Sequence, residues 1–260
     1  MQHRALKKFS QNFLTQPAIA QKIVDALHIS EEDQIIEIGP GKGILTRLII
    51  EKKPALFHAI EIDKNLAESL RELYKDQLNI IEQDFLQIKL SDLIDPKLKT
   101  KIIGNIPYNI TSPILFKLID HFEEIDCTVL MMQKEVAKRI SAKVGSKDYG
   151  ILSILQQTFS DVEYLFEVKN KNFNPVPKVD SAIVKLTYFQ AVEGIKNLQL
   201  YRTIVRGVFN YRRKMLRNSL SRIFDQSIVT SLIEFDLTRR PEQLTIQEFK
   251  HLANTIDRLI

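Results

Sequence analysis

The feature that most constrains the fold of this chain is a repeated alternation, between Gln34 and Val144, of short apolar runs with stretches of helical periodicity. Strand–helix repeats of this kind build a parallel sheet with helices on both faces. Ligands bind such sheets at the carboxyl ends of the strands. The sequence therefore predicts an α/β fold in which the functional residues directly follow the strands.

A proline and several helix-capping residues set the expected boundaries of the helices. Pro17 is expected in the first turn of an early helix, Asp63 as the cap of the helix after the second strand, and Thr111 or Ser112 as the cap of the helix after the fourth. Beyond Gly150 the pattern changes to a mixture of helix and strand. We predict the main strands at residues 35–38, 56–61, 78–83, 101–105 and 127–133.

The loop after the first strand points to a nucleotide-like cofactor. It reads G-x-G-x-G from Gly39 to Gly43, and glycine loops between the first strand and the first helix occur in both dinucleotide enzymes and S-adenosylmethionine enzymes. Glu37 would repel a pyrophosphate but tolerate an ammonium and a sulfonium, so S-adenosylmethionine is favoured over NAD. Glu61 is placed to accept from ribose hydroxyls and Asp84 from an adenine amine. For either acid, a helix cap or a solvated strand end is the alternative.

The fourth strand ends in Asn105, Ile106, Pro107 and Tyr108. The Asn105 amide oxygen and the Ile106 carbonyl can each accept a hydrogen from an exocyclic amine, while the Tyr108 ring stacks on the plane of the base. The alternative is a simple turn, because Pro107 fixes φ and keeps Ile106 out of helical geometry. Phe173, in a loop before the last strand, is a second candidate base contact; a hydrophobic plug beneath that loop is its alternative.

Positive charge is concentrated near the end of the chain. The net charge is +5, yet residues 1–190 contain 25 basic and 25 acidic residues, whereas residues 191–260 contain 12 and 7. Residues 201–222 carry seven basic residues and no acidic one. This segment predicts contact with a polyanion, unless it is a solvated helix face. The candidate RNA-binding residues are Arg212, Arg213, Lys214 and Arg217, which we expect within about two helical turns.

Length and composition limit the number of domains, the cellular location and the metal chemistry that we expect. With 260 residues and 44% hydrophobic content the chain can form one ordinary domain and a smaller one. No apolar run approaches the ~20 residues of a membrane span, and the polar start is unlike a secretory signal, so we expect no membrane partner and a cytoplasmic location. Cys127 is expected to be a buried thiol, and the five histidines have no metal-ligand spacing.

Taken together, these motifs resemble the ribosomal RNA adenine N6-dimethyltransferases, and most closely their small-subunit (16S rRNA) branch. The matching segments are SQNFL (10–14), EIGPGKG (37–43), EID (61–63), QDF (83–85), NIPYN (105–109), FNPVPKVDS (173–181), FNYRRKMLRNSL (209–220) and RPEQLT (240–245). They occur in the family's order and cover essentially the whole chain.

The resemblance implies a Rossmann-like class I S-adenosylmethionine-dependent methyltransferase sheet of seven strands with a small helical C-terminal domain. Residues 1–190 would be the catalytic domain and 191–260 a basic helical RNA-binding domain. The substrate would be two adjacent adenosines in the 3′-terminal hairpin loop of 16S rRNA, within a partly assembled 30S particle, and the enzyme a monomer. By position, the cofactor contacts would be Gln11, Asn12, Leu14, Gly39, Gly41, Glu61, Ile62, Asp84, Phe85 and Asn105; the residues around the target base would be Asn105, Ile106, Pro107, Tyr108 and Phe173.

The sequence departs from the family pattern at Lys42, where an apolar residue is more usual, and at Gln83, where glycine is frequent.

The sequence leaves three other functions as alternatives. A DNA adenine methyltransferase would share the Asn-Ile-Pro-Tyr logic but would need a DNA-recognition domain that is not recognisable here. A ribosome-assembly or transcription factor would use binding alone. A large-subunit resistance methyltransferase would lack the two C-terminal motifs.

Overall fold

The computed structural model describes residues 12–260, and its elements follow the predicted alternation. The strands are β1 (Phe13–Leu14), β2 (Asp33–Ile38), β3 (Leu56–Glu61), β4 (Asn79–Glu82), β5 (Lys99–Asn105), β6 (Cys127–Gln133), β7 (Ser160–Val168), β8 (Phe173–Asn174) and β9 (Ser181–Tyr188). The helices are α1 (Pro17–Ala26), α2 (Ile44–Glu51), α3 (Lys64–Tyr74), α4 (Thr111–Asp120), α5 (Lys134–Ile140), α6 (Ile151–Phe159), α7 (Leu198–Phe209), α8 (Leu216–Leu220), α9 (Gln226–Ser231) and α10 (Ile246–Asp257).

Seven strands form one sheet in the order β4-β3-β2-β5-β6-β9-β7, and β1 pairs separately with β8. The pairs from β4 to β6 are parallel, whereas β9 runs antiparallel to both β6 and β7. The predicted α/β sheet is therefore confirmed as a mixed sheet. Its parallel part brings the carboxyl ends of β2, β3, β4 and β5 to one edge, which is where the predicted site residues lie.

The centre of the sheet is built from strands that are buried on both faces. Every residue of β2 is buried, as expected for a parallel strand covered on both sides. Gly104 is required beside it, because a Cβ at this position would lie 2.7 Å from the Ile38 carbonyl oxygen. The glycine thus lets β5 lie against β2 immediately before Asn105.

One buried ion pair joins β2 and β5 near their amino ends. Lys101 Nζ lies 2.7 Å from Asp33 Oδ2, and the two side chains are 10% and 1% exposed. Lys101 Nζ also donates to the His28 carbonyl at 2.7 Å, and the Ser30 amide donates to Asp33 at 2.6 Å. Burial alone would raise the pKa of Asp33, but the Lys101 and Ser30 hydrogen bonds outweigh it and lower that pKa.

The chain divides into two compact units. The first runs through Ala137 and includes Ser160–Gln190; the second comprises Lys138–Phe159 and Ala191–Ile260. One change of unit follows Gln190, the position at which the sequence analysis divided the chain, and residues 138–159 group with the second unit although they precede that position. The reason is local: the Thr158 and Tyr201 hydroxyls share a hydrogen bond of 2.7 Å, and Tyr149 donates to the Leu244 carbonyl at 3.1 Å.

Among residues 12–260, no helix combines the length and apolar character needed to cross a bilayer. Cys127 is a buried free thiol, as predicted, and burial raises its pKa to about 12. In the same part of the chain, no three histidine, cysteine or acidic side chains are grouped as metal ligands would be.

Candidate active site

A cavity of about 230 Å³ lies at the carboxyl ends of the parallel strands, within the first unit. Twelve of the predicted cofactor and base contacts line it: Asn12, Leu14, Gly39, Gly41, Glu61, Ile62, Asp84, Phe85, Asn105, Ile106, Pro107 and Tyr108. Of the other two, Gln11 lies outside the described residues, and Phe173 is not part of the lining.

The glycine loop between β2 and α2 forms one wall of the cavity. Gly39, Gly41 and Gly43 have φ values of 64°, 59° and 77°, in the region that favours glycine. A Cβ on Gly41 would also lie 3.0 Å from the Phe13 ring. The loop therefore presents bare backbone to the cavity, as a close approach to a ligand requires.

Glu61, at the end of β3, is held by backbone amides on both of its oxygens. Gly41 N donates to Oε2 at 3.0 Å, and Asp63 N donates to Oε1 at 2.9 Å. Burial raises the pKa of Glu61, and these amide hydrogen bonds act in the opposite direction. Asp63 caps α3 as predicted, accepting from Asn65 N and Leu66 N. Glu61 is thus rigid, with lone pairs left on each oxygen for hydroxyl donors.

Glu37, at the end of β2, is only 1% exposed. Burial and the neighbouring charge of Glu61 raise its pKa to about 8, against a hydrogen bond from Thr46 Oγ1 at 2.7 Å that lowers it. A carboxyl group in this setting is neutral near pH 7 and becomes ionised when a positive charge lies beside it. This environment fits a cationic ligand and disfavours a pyrophosphate.

Asp84 caps a turn and also lines the cavity, two positions that the sequence analysis treated as alternatives. Its Oδ1 accepts from Leu86 N at 2.9 Å and so caps the 3₁₀ turn Phe85–Gln87. The same residue lines the cavity. A cap does not exclude a ligand contact here, because a carboxylate has further acceptor sites.

Asn105, the last residue of β5, has an amide whose orientation is fixed by a distant partner. Its Nδ2 donates to the Asn12 carbonyl oxygen at 2.8 Å. Only the nitrogen end of an amide can donate to a carbonyl, so the opposite end of the group is the acceptor Oδ1. The next residue is equally well fixed, since Ile106 N donates to the Met131 carbonyl at 2.9 Å.

The turn that follows is held from the start of α4. Thr111 Oγ1 donates to the Pro107 carbonyl at 3.2 Å and to the Tyr108 carbonyl at 3.3 Å. The Tyr108 hydroxyl shares a hydrogen bond of 2.8 Å with Ser181, and burial raises the Tyr108 pKa. The sequence predicted Thr111 or Ser112 as the helix cap; Thr111 is instead the first helical residue and braces the preceding turn.

Comparison with known proteins identifies the family. A family model described as "Ribosomal RNA adenine dimethylase" matches residues 2–258. The chain belongs to the ribosomal RNA adenine dimethylase family. It is 46% identical to the ribosomal RNA small subunit methyltransferase A of Chlorobium phaeobacteroides (strain BS1), over 94% of this chain and 90% of that protein.

Two solved structures of methyltransferases are similar over 95% of this chain. A dimethyladenosine transferase from Plasmodium falciparum has a TM-score of 0.82 at 30% identity, covering 95% of this chain and 98% of that one. The 23S rRNA methyltransferase ErmE has a TM-score of 0.71 at 25% identity, covering 95% and 100%. The predicted class I methyltransferase fold and its cofactor, S-adenosylmethionine, are confirmed, and the buried acids and bare glycine loop of this dimethylase fit that cofactor.

Phe13 is a lining residue of this dimethylase that sequence reasoning missed. Its ring packs beside Gly41, and Lys42 Nζ lies 4.9 Å from the ring centroid. The position of Phe13 between two predicted contacts, Asn12 and Leu14, was the available signal. Lys42, the departure from the family pattern, therefore has an aromatic partner at the cavity wall.

Phe173, the other predicted base contact, does not line the cavity. It is 2% exposed, belongs to the hydrophobic core, and pairs with Leu14 across the two-stranded sheet of β1 and β8. This position corresponds to the alternative considered from the sequence, a hydrophobic plug beneath the loop. Its effect on the cavity is through Leu14, which does line it.

The predicted RNA-binding residues lie in the second unit, and the structure separates them into two groups. Arg213 and Lys214 line a second cavity, and Arg217 is exposed on α8. Arg212 instead donates to the Ser146 carbonyl at 3.3 Å and lies 4.0 Å from Glu242. The sequence placed all four within two helical turns, but α7 ends before Arg212 and α8 begins after Lys214, so three of them lie in the connection.

Proposed function

We propose that this chain transfers methyl groups from S-adenosylmethionine to N6 of two adjacent adenosines in the 3′-terminal hairpin loop of 16S rRNA, during maturation of the small ribosomal subunit. Relatives that are 42–46% identical to this chain are called ribosomal RNA small subunit methyltransferase A, which supports a small-subunit substrate. ErmE, named for 23S rRNA, is 25% identical. The C-terminal basic segment supports an RNA rather than a small-molecule substrate.

The observation that carries the proposal is the orientation of the Asn105 amide. Because Nδ2 donates to the Asn12 carbonyl, Oδ1 is the end available to an incoming amine. Within residues 12–260 the Ile106 carbonyl has no hydrogen-bond donor of its own, so it offers a second acceptor. Two acceptors on consecutive residues match the two hydrogens of an adenine N6 amine.

These acceptors give a mechanism without an acid–base pair. The cofactor supplies a methyl group on a positively charged sulfur. The N6 lone pair of adenine is delocalised into the ring, and accepting both amine hydrogens at Asn105 and Ile106 favours a more tetrahedral nitrogen with its lone pair directed outward. Positioning and exclusion of water then provide most of the acceleration.

Tyr108 is the proposed stacking partner of the target base. Extruding an adenine costs a few kcal/mol, less in a loop than in a duplex, and stacking on an aromatic ring offsets about 1–3 kcal/mol of this. The hydrogen bond to Ser181 fixes the ring in advance. For Phe173 we now favour a supporting position behind Leu14 over direct contact with the base.

The second methylation places a constraint on the same acceptors. After the first transfer N6 is positively charged and releases one proton to solvent, so the amine keeps a single hydrogen and either Asn105 or Ile106 loses its donor. An acceptor that loses its donor in a closed site is unfavourable by about 1–3 kcal/mol. We therefore expect the second transfer to be slower than the first.

On the RNA side, we propose that Arg213, Lys214 and Arg217 contact phosphates of a partly assembled 30S particle, with the enzyme acting as a monomer. All three are exposed, and in the described part of the chain none pairs with a carboxylate. Arg212, which is engaged with Ser146 and Glu242, is proposed as a support for the connection rather than as a phosphate contact.

Transfer of labelled methyl groups to unmodified small-subunit particles, naked rRNA and DNA tests the proposal. We expect two methyl groups on each of two adenosines in the particles and no transfer to DNA. Asn105→Ala should reduce transfer by at least about a hundredfold while RNA affinity stays near wild type, since positioning effects of this size are typical. Asn65→Ala, an exposed asparagine on α3, is the matched control and should transfer normally.

The outcomes separate the competing functions. Methylation of DNA in preference to particles would favour a DNA adenine methyltransferase. Tight binding to particles without any methyl transfer would favour an assembly factor. Substantial transfer by Asn105→Ala would reject the assigned role of the amide even if the product is dimethyladenosine.

A further inference from the structure

Lys117, on α4, donates to three backbone carbonyls of one neighbouring segment. Its Nζ lies 2.7 Å from the Phe85 oxygen and 3.1 Å from the Leu86 oxygen, and it also donates to the Ile88 oxygen. The same ammonium lies 5.1 Å from the centroid of the Phe85 ring. An ammonium has three hydrogens to donate, so these three carbonyls occupy all of them.

This arrangement differs from that of an ordinary surface lysine. Lys117 is only partly exposed, and in the region from Asn12 onward no carboxylate lies within ion-pair distance of it. Burial lowers its pKa, with the charge of Asp84 acting in the opposite direction. Burying a cation beside neutral carbonyls costs free energy unless each of its hydrogen bonds has good geometry. The three carbonyls that accept from Lys117 belong to a single turn and the residue that follows it.

The segment that Lys117 binds is a wall of the cofactor cavity. It begins at Asp84 and Phe85, which line the cavity. The Asp84 carboxylate satisfies the amide of Leu86 at the amino end of the 3₁₀ turn, and Lys117 satisfies carbonyls along the same turn. The turn is therefore fixed from both ends, by a side chain of its own and by one from α4.

We propose that Lys117 is a positioning residue for cofactor binding, which fixes the segment from Asp84 to Ile88 so that Asp84 and Phe85 meet the adenosine part of S-adenosylmethionine. This inference rests on the proposed cofactor contact of Asp84. Lys117 does not line the cavity itself, and it acts through the turn. Charge-assisted hydrogen bonds are about twice as strong as neutral ones, so three of them restrict this segment strongly.

Calorimetric binding of S-adenosylhomocysteine and 5′-methylthioadenosine to Lys117→Met tests the proposal, because both ligands contain the adenosine part and only the first has the amino-acid part. We expect the Kd of both to rise by the same factor, about tenfold, with KM for the methyl donor raised and kcat changed less than threefold. Lys117→Arg keeps the charge, but a planar guanidinium cannot direct three donors from one nitrogen at three convergent carbonyls, so it should restore both affinities only in part.

Two controls separate positioning from loss of stability. Lys89→Met removes an exposed lysine next to the same segment, where Lys89 pairs with Asp92, and should bind both ligands like wild type. Lys101→Met breaks the buried pair with Asp33 at the opposite ends of the strands, and should lower Tm without changing either Kd. If Lys101→Met weakens binding as much as Lys117→Met at an equal loss of Tm, or if Lys117→Met binds like wild type, the inference is wrong.

Asp84→Ala distinguishes a failure of this inference from a failure of the proposed contact on which it rests. If Asp84→Ala weakens binding of both ligands and Lys117→Met does not, only the inference about Lys117 fails. If Asp84→Ala binds both ligands normally, the contact assigned to Asp84 fails, and the route by which Lys117 acts fails with it.

Discussion

At the scale of single residues, Glu37 is a carboxyl group that is almost completely removed from water. Its pKa of about 8 in the folded chain compares with 4.5 for a free glutamate. Between these values the folded, cofactor-free chain holds a proton that the unfolded chain releases, so stability falls as pH rises through this window. Glu37→Gln removes the titrating group and with it this dependence of stability on pH. We expect its Tm to exceed that of wild type by an amount that grows from pH 5 to pH 8 and corresponds to a few kcal/mol at most, or roughly 1.4 kcal/mol for each unit of pKa shift.

Thermal unfolding of both proteins across this pH range, without cofactor, measures the difference. Glu72→Gln, on the exposed side of α3, provides the baseline for a surface glutamate. A Tm difference between Glu37→Gln and wild type that does not change with pH would mean that Glu37 is already ionised in the folded chain.

Sequence patterns predicted residue types at the site better than their orientations. Asn105 and Glu61 are the last residues of their strands, and strand ends can be predicted from local periodicity. The direction of the Asn105 amide depends on the Asn12 carbonyl, 93 positions away in sequence, so no local pattern contains it. The burial of Phe173 also depends on a partner distant in sequence, since Phe173 pairs with Leu14 of β1.

At the scale of secondary-structure elements, the pair between Lys101 and Asp33 links the amino ends of β5 and β2. Removing one partner of a buried pair leaves an uncompensated charge, which costs about 3–5 kcal/mol. We therefore expect Lys101→Met to destabilise the first unit by about 3 kcal/mol, measured by urea denaturation at pH 7. Adding Asp33→Asn, which removes the buried charge, should recover part of the loss.

The pH dependence of this pair has the opposite sign to that of Glu37. The pKa of Asp33 is lowered from 3.8 in the folded chain, so its stabilising effect is present above the unfolded value and is lost as pH falls through the folded one. The stability difference between wild type and Lys101→Met should therefore shrink below pH 4. A difference that persists at pH 2 would show that packing of the Lys101 stem, and not its charge, is responsible.

Strands with continuous apolar segments were predicted closely, whereas the ends of helices that depend on contacts with distant residues were not. β2, β3 and β6 match the predicted runs to within two residues, because parallel strands buried on both faces give continuous apolar segments. The basic segment was expected on continuous helical turns, yet the chain leaves the helix after Phe209 and resumes it at Leu216. The Arg212 contacts with Ser146 and Glu242 stabilise that break, and both partners are remote in sequence.

At the scale of the whole molecule, charge and chain contacts divide the sequence differently. The excess of basic residues lies after Gln190, within the second unit. Residues 138–159 join the same unit although they precede β7 in the chain. Their assignment depends on contacts such as that between Thr158 and Tyr201, which charge and periodicity do not encode.

The concentration of charge in the second unit leads to a prediction about salt. Each lysine or arginine that neutralises a phosphate contributes about 0.9 to the slope of log K against log salt on duplex-like nucleic acid and about 0.7 on single strands. Arg213→Ala with Lys214→Ala should therefore reduce the slope for small-subunit particles by about 1.4–1.8. Arg212→Ala removes the same charge per residue from a side chain held by Ser146 and Glu242, and should lower Tm while leaving the slope unchanged. Equal slopes for wild type and the double variant would exclude Arg213 and Lys214 as phosphate contacts, and a reduced slope for Arg212→Ala would place that residue among them.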